Sequence, residues 1–110
     1  IDASSGGLAP EQKISLGPGY QVQFAEAIRK EAGIPTIAVG LITEPRQAED
    51  IVASGRADMV ALARGILYEP HWAWRAAAEL GGQLSAPKQY WRAPPRGQEA
   101  IFRGAKVGQR

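Results

Sequence analysis

The chain has 110 residues, 45% of them apolar and 22% charged, with a formal net charge of +2. This is the make-up of an ordinary globular domain, and so small a basic excess is no argument for nucleic acid as a partner. It contains no cysteine, which excludes disulfides, thiolate nucleophiles and Cys-ligated metals. No apolar stretch approaches the ~20 residues of a helical membrane span, no leader peptide is visible, and a cytoplasmic location follows by default.

Ile1-Asp2-Ala3 reads as the end of a strand, without a starting Met. The chain is therefore expected to be the C-terminal piece of something longer. A polar, glycine-rich loop follows from Ser4-Ser5-Gly6-Gly7, and Pro18-Gly19 precedes a helix that runs to about Ala32. Val22, Phe24, Ala25, Ile28 and Ala32 are read as its buried stripe, and Gly33 as the residue that ends it. Pro35 restarts the chain as a strand over 36–40. Thr43 is a suitable N-cap for the next helix, with Pro45 in its first turn. Ala48, Ile51 and Val52 form its apolar face, and Gly55 closes it. A strand over 58–62 comes next, then a short turn of helix from Arg64. A last helix runs from about His71 to Leu80 and stops at Gly81-Gly82. Residues 83–92 read as irregular, and 93–110 as a Pro/Gly/Arg-rich tail expected to be disordered.

Strands alternating with helices imply an α/β fold with a parallel sheet and right-handed crossovers. A (β/α)8 TIM barrel of ~250 residues uses roughly 31 per unit. Residues 1–92 then hold about three βα units.

Two of the strand ends carry the chemistry. The run Thr36-Ile37-Ala38-Val39 stops at Gly40, and Asp58-Met59-Val60-Ala61-Leu62 stops at Ala63 and then presents Arg64. A small residue lets backbone N–H groups approach an anion, and an Arg fork clamps it. The loops after the last two strands of such a barrel are a frequent phosphate site. Read without further context, Arg64 serves equally well as a helix cap or a surface ion pair, and Ser4-Ser5-Gly6-Gly7 as a flexible loop. Asp2, Glu49, Asp50 and Asp58 have no metal-ligand spacing, and His71, Trp72 and Trp74 read as packing and surface residues.

Five stretches together resemble the C-terminal third of an old yellow enzyme, in particular its YqjM-like and xenobiotic-reductase subclass. They are Ile1-Asp2-Ala3-Ser4-Ser5-Gly6-Gly7, the segment Pro18–Glu26, Ala38-Val39-Gly40-Leu41-Ile42-Thr43, the segment Arg56–Arg64, and Pro87-Lys88-Gln89-Tyr90-Trp91-Arg92. The resemblance covers about residues 1–92. It implies strands six to eight of an FMN-binding TIM barrel, with 93–110 as a separate tail. It also implies an FMN-dependent NAD(P)H:flavin oxidoreductase or ene-reductase, with NAD(P)H as reductant and an activated alkene or similar small molecule as acceptor.

By the same resemblance, Ser4 lines the ribityl and phosphate side of FMN, the Gly40 N–H meets the phosphate, and Arg64 binds it. Ala63 stands where the family usually has glycine. The added methyl is tolerated provided the backbone there does not need φ > 0. Tyr90 and Arg92 match a Tyr-x-Arg finger that reaches into a neighbouring subunit. The family's substrate clamp and proton donor lie upstream of this segment, so no catalytic residue is assigned. His71, the only histidine, does not match that clamp by position.

Three of eight barrel units leave strand edges and an inner face uncovered. The chain is therefore expected to self-associate as a homo-oligomer or to pair with an N-terminal barrel portion. The competing reading is a non-catalytic half-barrel module that self-assembles or binds a phosphate ligand.

Overall fold

Three two-residue strands, Asp2–Ala3 (β1), Ile37–Ala38 (β2) and Met59–Val60 (β3), form a parallel sheet in the order β1-β2-β3. The structure is a computed structural model and describes residues 1–104. Asp2 pairs with Ile37 and Ile37 with Met59; Ala3 pairs with Ala38 and Ala38 with Val60. Helix α1 (Val22–Ala32) connects β1 to β2, and α2 (Pro45–Ala53) connects β2 to β3. This is the arrangement of consecutive units of a (β/α)8 barrel. The strands are shorter than the apolar runs predict, because only these residues meet ladder partners on both sides of β2.

The packing follows from small residues. Ala3 and Ala38 are buried on one sheet face, and α1 lies against β1 and β2 through Val22 and Ala25. Helix α2 buries Pro45, Ala48 and Ile51. Three residues expected in these stripes fall outside them: Phe24 is 40% exposed, Val52 39% exposed, and Ala32, the last residue of α1, is exposed as well. Phe24 lies two residues from Val22, and Val52 one residue from Ile51. On a helix such offsets turn the side chain away from the buried face.

The helix ends are largely as expected. Gly33 takes the left-handed conformation after α1, its N–H donating to the Arg29 carbonyl at 3.0 Å. Pro45 opens α2, but the N-cap is Glu44, and the Thr43 N–H is taken by the side chain of Gln47 at 3.1 Å.

At the N-terminal ends of β2 and β3, charge ties the elements together. Asp58 Oδ2 accepts the Thr36 N–H at 2.8 Å and Arg29 Nε at 3.2 Å, while Arg29 Nη1 donates to the Gly55 carbonyl at 2.9 Å. These two donors, the Thr36 N–H first, hold the Asp58 carboxyl below its ordinary pKa. Glu26 is held down likewise by Lys30 and then Arg56, at 2.6 and 2.8 Å.

The chain divides into two compact units, Ile1–Tyr68 and the residues from Glu69 onward. The first ends with the five-residue helix α3, Arg64–Tyr68. In the second, α4 (Trp72–Leu80) is followed by 3-10 turns at Lys88–Tyr90 and Glu99–Ile101. Arg75 pairs with Glu69 and Glu79.

The expected structureless tail from residue 93 is not what residues 93–104 form. Leu84 and Phe102 make a parallel bridge, with the Leu84 N–H on the Ile101 carbonyl at 2.8 Å and the Arg103 N–H on the Leu84 carbonyl at 2.9 Å. Phe102, 1% exposed, meets Trp74 edge-on at 4.9 Å. Two apolar residues in a polar stretch are too few to register as periodicity, yet one buried ring is enough to anchor the segment. The remainder of that tail, 105–110, lies outside the described residues.

Candidate functional site

Beyond β2 and β3, at the C-terminal ends of the strands, the segments Val39–Thr43 and Ala61–Gly65 converge on one cavity of about 220 Å³. Tyr20 and Gln21, at the start of α1, complete its lining. Gly40, Ala63 and Arg64 are thus brought together. A larger open groove of about 920 Å³ lies between the start of α1 and the C-terminal half of α2, bounded by Val22, Asp50, Ile51 and Arg56. No strand end contributes to it, and in a parallel α/β fold the C-terminal strand ends are where ligands bind. The smaller cavity is therefore the candidate site.

Gly40 has φ +111°, which only glycine adopts readily, and a Cβ there would stand 2.8 Å from Gln21 Nε2 and 2.9 Å from Tyr20 Cε1. The position needs glycine twice over, for conformation and for space. Leu41 has φ +50° and is the only non-glycine residue with positive φ among those described. Its carbonyl accepts the Gly19 N–H at 3.3 Å and Gln47 Nε2 at 3.1 Å. Ala63 does not share this conformation, so its methyl carries no penalty of the kind a left-handed site would impose.

Arg64 is exposed and makes no ion pair or side-chain hydrogen bond among the described residues. Among those residues the N–H groups of Gly40 and Ala63 also donate to no protein acceptor. One guanidinium and such N–H groups around a small concavity form a donor set suited to an anion. The volume lies below the roughly 300–1,000 Å³ of sites that enclose a drug-sized molecule. It suits the phosphate end of a larger ligand.

Ser4 follows β1, is exposed and does not line this cavity. Its neighbour Ser5 donates its N–H to Gln21 Oε1, and Gln21, 4% exposed, lines the cavity. Tyr90 and Arg92 belong to the second unit, where the Tyr90 ring packs edge-on against Trp74 at 5.6 Å. The His71 ring packs tilted against Trp74, with centroids 4.0 Å apart, a packing role. Sequence reasoning missed Tyr20, Gln21, Leu41 and Gln47. The available signal was the position of Tyr20-Gln21 directly after the Pro18-Gly19 turn; nothing in the sequence marks a leucine for the left-handed region.

Parallel strand ends meeting at a glycine loop and an arginine define an α/β protein with a candidate site at the C-terminal ends of its strands. The sequence profile of the NADH:flavin oxidoreductase / NADH oxidase family matches residues 9–83, and the chain belongs to that family. It is 55% identical over 92 residues to an NADPH dehydrogenase of Geobacillus thermodenitrificans and 58% identical over 92 residues to one of a second Geobacillus. An NADPH dehydrogenase of Halalkalibacterium halodurans is 54% identical over 93 residues. Each match covers 84% of this chain and 27% of the relative, so the chain spans about a quarter of the length of these proteins. Among the described residues, no helix is long and apolar enough to cross a membrane.

Proposed function

We propose that this chain supplies the FMN phosphate-binding region of an FMN-dependent NAD(P)H:flavin oxidoreductase of the old yellow enzyme type. The observation that carries the reading is the convergence of Gly40, Ala63 and Arg64 on one small cavity in a chain of this family. Arg64 clamps the phosphate with its guanidinium, and the Gly40 and Ala63 N–H groups add directed donors. Ser4, which does not line the cavity, is assigned to the ribityl chain on the family resemblance alone. Fixing the phosphate fixes where the rest of the cofactor lies, which is a positioning contribution. When bound, the flavin supplies hydride transfer between NAD(P)H and an acceptor such as an activated alkene. Residues 1–92 act as the barrel portion, and Tyr90 and Arg92 as a finger toward a neighbouring subunit.

A second reading is favoured by one observation. In the sheet row Asp2, Ile37 and Met59 the two outer residues are exposed, Met59 to 54%, and Ile37 is only half-buried, as suits a half-barrel module that self-assembles or binds a phosphate ligand without catalysis. An absorption spectrum separates the two. The oxidoreductase reading expects a chain that takes up FMN, turns yellow and is bleached by NADPH or NADH. A colourless chain that takes up no added FMN supports the second reading.

A further inference from the structure

We propose that Gln47 is a positioning residue for the phosphate anchor: its amide holds Leu41 in the left-handed region and so fixes where the Gly40 N–H points. The inference rests on the phosphate reading of the cavity given above. A leucine at φ +50° is disfavoured by its own Cβ, and such a residue persists only where its surroundings over-determine it. Burial of the Leu41 side chain does not do so, since it is 37% exposed.

The restraint is polar. Two donors converge on the Leu41 carbonyl, the Gly19 N–H at 3.3 Å and Gln47 Nε2 at 3.1 Å. The other atom of the same amide, Gln47 Oε1, accepts the Thr43 N–H at 3.1 Å. One side chain therefore grips the backbone on both sides of Ile42, which is itself 4% exposed and fixed by burial. With the downstream chain held, a return of Leu41 to negative φ is taken up upstream. It swings the Gly40–Leu41 peptide and moves the Gly40 N–H. Gly40 is the residue before it, at φ +111° in the cavity wall.

Gln47 is the third residue of α2, and accepting the Thr43 N–H is a capping interaction in its own right. Capping alone predicts a loss of helix stability and nothing selective at the phosphate. The Nε2 bond to Leu41 predicts more. The test titrates FMN, and riboflavin as the analogue without phosphate, into the chain by fluorescence quenching. The variants are Gln47→Met, Gln47→Met with Leu41→Gly, and Arg64→Ala, beside the wild type.

Gln47→Met keeps side-chain length and helix propensity and removes both amide bonds. It is expected to weaken FMN by about two- to tenfold, the range that loss of one net hydrogen bond, the one to Leu41, spans, with riboflavin unchanged. Leu41→Gly in that background is expected to recover most of the loss, because glycine adopts positive φ without penalty. Helix capping cannot be repaired that way. Equal losses for both flavins, no recovery by Leu41→Gly, or unchanged FMN binding in Gln47→Met would each overturn the proposal.

Arg64→Ala keeps the two levels apart. If it leaves FMN binding untouched, the phosphate reading falls and takes this inference with it. If it weakens FMN while Gln47→Met does not, only the role of Gln47 falls. Should Gln47→Met fail to fold, Gln47→Glu keeps an acceptor for Thr43 and removes the donor to Leu41. The same FMN loss and the same recovery by Leu41→Gly are then expected. Charge repulsion from the new carboxylate would not be recovered.

Discussion

Gly40 is the residue on which the site depends most sharply. Its φ of +111° and the 2.8 Å that a Cβ would leave to Gln21 Nε2 are independent penalties. Gly40→Ala is therefore expected to cost about 1–3 kcal/mol of local strain and to weaken FMN more than riboflavin. A variant with wild-type melting temperature and FMN affinity would contradict this. At position 63 the opposite holds: the conformation there does not call for glycine, so Ala63→Gly is not needed to restore an anion site. The residues that line the cavity or, like Gln47, hold its lining backbone were legible to different degrees. Gly40, Ala63 and Arg64 stand out because each ends or follows an apolar strand run. Gln21 and Gln47 do not, because a glutamine in the first turns of a helix reads as a neutral surface residue until its partners are known.

Among the elements, the N-terminal ends of β2 and β3 are joined by Asp58, whose carboxylate takes the Thr36 N–H and Arg29. Its pKa in the folded chain lies below the usual aspartate value. A depressed folded-state pKa means that the contribution to stability is fully present above the unfolded value. It is lost as pH falls through the folded value. Urea midpoints measured from pH 7 down to pH 2 are expected to drop on the acid side, and Asp58→Asn to lessen that drop. An identical pH profile in the variant would remove Asp58 from the account. The elements themselves were readable where local chemistry decides them, as at Gly33 and Gly81, which both end helices in the left-handed region. They were not where long-range packing decides. Phe24 and Val52 match the apolar composition of their helices but not the face that meets the sheet. The 93–104 segment is held by Phe102 against Trp74, a contact between residues far apart in sequence.

For the whole molecule, the exposed Asp2 and Met59, and the outer edges of β1 and β3, which pair with no strand among the described residues, lead to an expectation of self-association. A parallel sheet is ordinarily covered on both faces, and open edges template pairing with other chains. Light scattering is expected to give a mass above the monomer, and Met59→Glu to lower it; a monomer at every concentration would contradict this. The central claim is that the cavity at Gly40 and Arg64 holds the phosphate of a flavin. It is tested most directly by the ratio of FMN to riboflavin affinity in the wild-type chain and in Arg64→Ala. A charge-assisted hydrogen bond is worth ~1.5–3 kcal/mol. FMN should therefore bind at least about tenfold more tightly than riboflavin in the wild type, and that preference should largely vanish in Arg64→Ala. Equal affinities in the wild type, or a preference that survives the loss of Arg64, would contradict the claim.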